Sequence, residues 1–215
     1  MDVTSGKLAA ALEGAHSAPL QDVAVSGDAR IVATASKDGT VVLWDARTAR
    51  AEQRFDVAAA ASAPLRAADS TGCSKGRFAS CVALSEDGRW VVAGGGAVPC
   101  VTVWSTVARS ATARVATTAA PQAALFAADG SCDFLVAYAA PWLCRYSVGG
   151  ASRSRRRVAP ASCLALAASC GGGGDALLAI GGRGGVLQLL PPIGSSRTLF
   201  VDERGDAATA AARGA

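Results

Sequence analysis

The sequence predicts an all-β fold, a β-propeller of about four recognisable four-stranded antiparallel blades. Three observations predict it. Between Gly14 and Asp45, a His-led segment passes through an alternating apolar run, a Thr/Ser-rich strand and a tight Lys37-Asp38-Gly39-Thr40 turn into the strand Val41-Val42-Leu43-Trp44. That last strand recurs as Val101-Thr102-Val103-Trp104, Leu143-Cys144-Arg145-Tyr146 and Val186-Leu187-Gln188-Leu189, at intervals of about 60, 42 and 43 residues; a blade unit repeats every ~40–45. Asp-Gly pairs between short apolar runs supply the hairpin turns, where a positive φ is needed.

The elements follow in order. Residues 1–16 read as the outer strand of a preceding blade, Asp2-Val3-Thr4-Ser5-Gly6-Lys7 leading through Leu12 and Gly14 to His16, with Met1 where that blade's Trp would stand. On this reading the chain begins in mid-propeller and its blades are part of a seven-bladed ring. Residues 14–57 form the first blade, with Val32, Thr34 and Ser36 on one face of a period-two strand and Ala33 and Ala35 on the other. An Ala/Ser/Gly-rich insertion at residues 58–77 lengthens the first interval as a loop. Residues 78–112 form the second blade, where Cys81-Val82-Ala83-Leu84 leads through Ser85-Glu86-Asp87-Gly88 to Trp90-Val91-Val92-Ala93. Residues 113–150 form the third, from Ala123-Ala124-Leu125-Phe126 through Ala128-Asp129-Gly130 to Phe134-Leu135-Val136-Ala137. Residues 157–201 hold a fourth blade and closing strand, with Cys163-Leu164-Ala165-Leu166 and Leu177-Leu178-Ala179-Ile180 on either side of a glycine run. The tail, residues 202–215, has no apolar period and is expected to be disordered.

The first unit resembles a WD repeat. That resemblance implies a hydrogen-bonded chain through His16, Thr34 or Ser36, Asp38 and the Trp44 indole, and a chain with every member paired rigidifies a blade. A Ser/His/Asp set also fits a hydrolase, but the spacing is the repeat's own and a triad is defined by geometry and roles. His16 is the only histidine in the chain. The later units are degenerate: Ser follows both Trp104 and Tyr146, and no His opens them. WD propellers mostly bind proteins, which points to assembly and away from an enzyme.

Half of the chain, 51%, is apolar, but only 5% is aromatic and Ala dominates, so each blade gains less from burial than a Leu- or Phe-rich one. A net charge of +4 does not mark a nucleic-acid binder. Seven cysteines, at 73, 81, 100, 132, 144, 163 and 170, form no C-x-x-C pair and have no His at zinc spacing. Their odd, unpatterned count suits a reducing compartment. The N-terminus lacks the basic and apolar regions of a secretory signal. No stretch approaches the ~20 apolar residues of a membrane helix. A soluble intracellular protein without cofactors or membrane contact is expected.

A narrower resemblance lies between residues 79 and 126. Trp90-Val91-Val92-Ala93-Gly94-Gly95-Gly96, Val101-Thr102-Val103-Trp104 and Ala120-Pro121-Gln122 resemble the C-terminal half of the THO complex subunit 6 family. Trp44-Asp45-Ala46-Arg47-Thr48, the insertion at 58–77, and Ser195 to Val201 in the place of a final strand extend the similarity over roughly residues 2 to 201. The resemblance implies a scaffold subunit of a nuclear THO/TREX-like complex in mRNP assembly and mRNA export, with other protein subunits as partners and only indirect or weak RNA contact.

Two further motifs carry alternative readings. Trp44-Asp45-Ala46-Arg47 fits the Trp-Asp-x-Arg pattern of substrate receptors on cullin–RING ubiquitin ligases, with Asp45 and Arg47 at the contact to the ligase's propeller adaptor; Arg47 would present a planar, permanently charged donor. Arg153-Ser154-Arg155-Arg156-Arg157 is the one basic cluster, read as a loop that either contacts RNA phosphates or faces solvent. It has no interleaved aromatics on which bases would stack. The glycine runs at 171–174 and 181–185 lack the Lys-Ser/Thr of a phosphate loop and read as turns.

Overall fold

A computed structural model describes residues 10–57, 78–95, 99–127 and 129–158, and beyond them the strands within 163–210. The expected strand at residues 1–9, the insertion at 58–77, the glycine run at 171–174 and the hairpin tip at 183–185 lie outside the described residues. The fold is all-β. Among the described residues four antiparallel sheets follow one another, and three are simple four-stranded meanders. The first holds β1 (Leu20–Val25), β2 (Ile31–Ser36), β3 (Thr40–Asp45) and β4 (Arg50–Asp56). The second holds β5 (Ala79–Leu84), β6 (Trp90–Gly95), β7 (Cys100–Ser105) and β8 (Ser110–Ala116). The third holds β9 (Pro121–Phe126), β10 (Phe134–Tyr138), β11 (Trp142–Tyr146) and β12 (Ser152–Arg157). The fourth holds β13 (Cys163–Cys170), β14 (Ala176–Gly182), β15 (Val186–Leu190), β16 (Arg197–Val201) and β17 (Ala207–Ala210). No helix among the described residues is long and apolar enough to cross a membrane.

The strands form where apolar residues alternate or run continuously, and the turns form where side chains can cap them. Ser26 donates to Asp28 at 2.7 Å, while Asp28 accepts the Arg30 N–H and the Ser26 hydroxyl accepts the Ile31 N–H. The β5–β6 turn repeats this with Ser85, Asp87, Arg89 and Trp90. The Gly27 N–H donates to Glu86 O, tying the two turns together.

Four expectations need correction. The Arg153–Arg157 cluster is not a loop; it lies within β12, paired with β11 from Trp142↔Arg157 to Tyr146↔Ser152. The boundaries expected at 112 and 150 fall inside or before the fourth strands, since β8 runs to Ala116 and β12 to Arg157. Both misreadings have one cause. An outermost strand is held by its backbone to one neighbour, so its exposed side chains show no apolar alternation: every residue of β12 is exposed. Third, Leu190 and not Leu189 occupies the place of Trp44, because Leu178↔Leu190 matches Val32↔Trp44, Val91↔Trp104 and Phe134↔Tyr146. In a run as apolar as Val-Leu-Gln-Leu-Leu, composition does not choose between registers one residue apart, although the slip would flip every side chain. Fourth, the tail expected to be disordered pairs through Ala207–Ala210 with β16. Backbone pairing onto an open strand edge needs no apolar period; residues 202–206 and 211–215 lie outside the described residues.

Each sheet packs face to face on the next. Ala33, Ala35, Val41, Leu43 and Phe55 of the first sheet meet Val82, Leu84, Val91, Ala93 and Trp104 of the second. Phe55 and Trp104 stack at 5.5 Å. Val92, Val101 and Val103 meet Phe134, Val136, Tyr138 and Tyr146 of the third. Ala137, Leu143 and Val158 meet Ile180 and Leu190 of the fourth. The small residues set the spacing. A Cβ on Gly94 would collide with the Pro121 ring and lie 3.0 Å from Cys81 Sγ, so only glycine lets β9 close on β6. Polar groups of the inner strands also bridge sheets: Asp22 accepts the Val82 N–H at 2.9 Å, and the Ser80 hydroxyl reaches Pro121 O at 2.9 Å. Burial raises the Asp22 carboxyl pKa, and its bonds from Val82 and Val23 only partly oppose this.

Candidate interaction surfaces

A polar cluster joins the segment before β1 to β2, β3 and the turn between them. Trp44 Nε1 donates to Thr34 Oγ1 at 2.8 Å, and Thr34 Oγ1 lies 2.8 Å from His16 Nε2. His16 Nδ1 lies 3.0 Å from Asp38 Oδ2. A carboxylate only accepts, so in the neutral imidazole the hydrogen sits on Nδ1 and Nε2 accepts the Thr34 hydroxyl. The chain therefore runs in one direction, Trp44 to Thr34 to His16 to Asp38. Asp38 also accepts from the Ser17 N–H, the Thr40 N–H and the Thr40 hydroxyl. Burial alone would raise its pKa, but these bonds, led by Thr40, hold the carboxyl well below the usual range. Arg54 adds a contact at 3.7 Å.

Sequence left Thr34 and Ser36 as alternatives, and the structure divides their work. Thr34 sits in the chain, whereas Ser36 donates to Ala18 O at 2.9 Å and accepts from Asp38 N–H. Both lock the segment before β1 onto the sheet. In the second sheet the register places Ala93 at Thr34's position, and the only hydroxyl on that rung is that of its partner Thr102, on the neighbouring strand. In the third, Tyr138 donates to Tyr146 at 3.0 Å inside the core. Burial pushes the Tyr138 phenol well above its usual range. Register alone would have exposed this pair: Tyr146 takes the Trp44 position and Tyr138 the Ser36 position.

Asp45 and Arg47 occupy the β3–β4 turn at the opposite end of the sheet from Asp38. The Asp45 carboxylate caps that turn by accepting the Arg47 and Thr48 N–H groups at 2.8 and 2.9 Å. Arg47 is exposed. Asp45 thus shapes the turn and Arg47 projects from it.

The arginines of β12 divide. Arg153 approaches Asp133 at 3.6 Å, beside Arg145, which donates to Asp133 and Asp129 at 2.8 and 2.6 Å. The Ser131 hydroxyl, with Arg145 behind it, lowers the Asp129 pKa to about 2. Arg155 lies over the Trp142 ring, 3.7 Å from its centroid. Among the described residues no ion pair uses Arg155, Arg156 or Arg157, and no group of three or more His, Cys, Asp or Glu is placed to hold a metal. Cys81, Cys100 and Cys144 are buried and free, and burial pushes the Cys81 thiol up to about 12.

Residues 6–45 match the family described as WD domain, G-beta repeat. The matched residues take in β1, β2 and β3 of the first sheet. In fold, the chain is similar to the solved structures of the RRP9 WD40 repeats (TM-score 0.68, 17% identity, covering 88% of this chain and 53% of that one) and of U3-55K (0.67, 18%, 88% and 54%). The chain thus spans about half the length of the structures it resembles. No curated protein is significantly similar to it in sequence. WD repeat sheets of this kind generally serve as scaffolds for protein–protein contact.

Proposed function

We propose that this chain is a non-enzymatic scaffold subunit of a nuclear THO/TREX-like complex, acting in mRNP assembly and mRNA export. One observation supports this reading above the others. The two motifs on which the THO subunit 6 resemblance rests, the glycine run from Gly94 and Ala120-Pro121-Gln122, meet in space. Gly94 gives Pro121 its place, and Ser80 bridges Gly94 O and Pro121 O. Such motifs act as one packing unit and set how the third sheet sits on the second. The test is to tag the endogenous protein near Ala215 and identify its partners. Co-purification of THO subunits supports the proposal, and their absence from a soluble, folded sample overturns it.

A second reading, a substrate receptor of a cullin–RING ligase, has its own support in the capped turn that leaves Arg47 exposed. Arg47→Ala would then abolish binding to the ligase's propeller adaptor without lowering the melting temperature. Unchanged adaptor binding refutes that reading.

A further inference from the structure

The outermost strand of the third sheet differs in kind from its counterparts. β4 mixes Arg50 and Arg54 with Glu52 and Asp56, and β8 carries the single charge of Arg114. β12 carries four arginines and no acid, with every residue exposed. Among the described residues no strand pairs with its outer edge. Beside it lies a groove of about 340 Å³ between the second and third sheets, lined by Val115, Thr117, Tyr138, Trp142, Tyr146 and Arg155.

The backbone of that edge can be read residue by residue. The Val158 N–H donates to Pro141 O at 3.2 Å, continuing the β11–β12 ladder. Antiparallel pairs alternate between bonded and non-bonded, so Arg156 and Ser154 face inward with their N–H and C=O groups. Arg155 and Arg157 then turn theirs outward. Their side chains share the face of their cross-strand partners Cys144 and Trp142, which is the face of the groove.

We propose that β12 is a docking edge for an acidic, extended peptide segment of a partner protein, which adds as a further strand. Its carboxylates lie opposite Arg155, Arg156 and Arg157, and an aromatic side chain two residues away on the groove face enters between the sheets. A sheet edge offers alternating donors and acceptors, which match a peptide backbone; phosphates would use the donors only. Single-stranded nucleic acid also needs open aromatic faces, and the Arg155 guanidinium already covers Trp142. This surface is independent of the complex to which the chain belongs.

The probe is the labelled nonapeptide Thr-Phe-Thr-Glu-Glu-Glu-Thr-Phe-Thr, whose near-symmetry makes strand direction immaterial. Fluorescence anisotropy with the full chain should show binding at least tenfold tighter than to a permuted peptide of the same composition. The double change Arg155→Gln/Arg157→Gln should weaken it at least tenfold, and Arg89→Gln should leave it unaltered. Arg157→Pro should bind several-fold more weakly than Arg157→Gln, since it also removes an outward N–H while sparing the ladder to β11. Circular dichroism melts confirm that each variant is folded. Equal affinity for the permuted peptide overturns the proposal, as does equality of the Pro and Gln variants. Preference for oligouridine over the peptide overturns it in favour of RNA, and no binding at millimolar peptide leaves the arginines as a guard against edge pairing.

Discussion

Two threonines on central strands test whether the WD chain holds the first sheet together by hydrogen bonding or merely fills space. Thr34 and Thr102 are both buried, at 3% and 0% exposure. Thr34 Oγ1 accepts from the Trp44 indole and meets His16 Nε2, each at 2.8 Å. Thr102 Oγ1 has no partner among the described residues. Changing each to Val keeps shape and volume nearly constant and deletes only the hydroxyl. Thr34→Val strands the Trp44 N–H and the His16 Nε2 acceptor, both out of water. An orphaned buried group costs about 1–3 kcal/mol, so for the two groups the loss should be about 2–6 kcal/mol, less a small gain from the added methyl. For a domain of this size that is a fall in Tm of roughly 4–24 °C, at about 2–4 °C per kcal/mol. Thr102→Val removes a desolvated hydroxyl that bonds nothing, so it should be neutral or raise stability by up to about 2 kcal/mol. Urea unfolding followed by tryptophan fluorescence, with the slope checked for constancy, measures both. Equal effects of the two substitutions, or a Thr34→Val cost under about 0.5 kcal/mol, would refute the reasoning.

Three further outcomes follow from the same contacts. The Asp38 carboxyl titrates below its ordinary value of 3.8 in the folded chain, so its contribution is complete above that value and is lost as pH falls below it. Urea midpoints between pH 7 and 3 should fall more steeply for the parent than for Asp38→Asn, and parallel curves would contradict this. Gly94→Val should cost at least about 1–3 kcal/mol through overpacking against Pro121, while Gly130→Val, whose Cβ would meet nothing within 4 Å but whose φ is +74°, should cost only the strain of that turn; thermal melts compare them. Tyr138→Phe should cost about 1 kcal/mol by breaking the bond to Tyr146, and an unchanged melting temperature would show that the phenol pair contributes nothing.

Inner and middle strands are legible in the chain because burial on both faces imposes apolar residues locally. Val41-Val42-Leu43-Trp44 and Trp90-Val91-Val92-Ala93 declare themselves, and the Ser-x-Asp turns before β2 and β6 are capped by residues two and five positions apart. The WD chain is legible through resemblance: the likeness of residues 14–45 to a WD repeat implies His16, Asp38, Trp44 and a strand hydroxyl as its members. Outer strands are not. Arg153 to Arg157 looks like a loop because nothing about an exposed strand with one hydrogen-bonded edge requires a pattern.

The sequence by itself therefore determined the all-β class, the repeat, His16, Asp38 and Trp44 of the buried polar chain with its hydroxyl left between two residues, and the residues of the basic cluster. Tertiary structure decided the rest. It chose Thr34 over Ser36 through the reach of one imidazole, set Leu190 at the core through a one-residue register, and joined Tyr138 to Tyr146. It also laid the arginines along an open edge beside Trp142. Each of these depends on which atoms from distant segments come within about 3 to 4 Å, a distance that hydrogen bonds and packing require and that neighbouring residues along a chain do not specify.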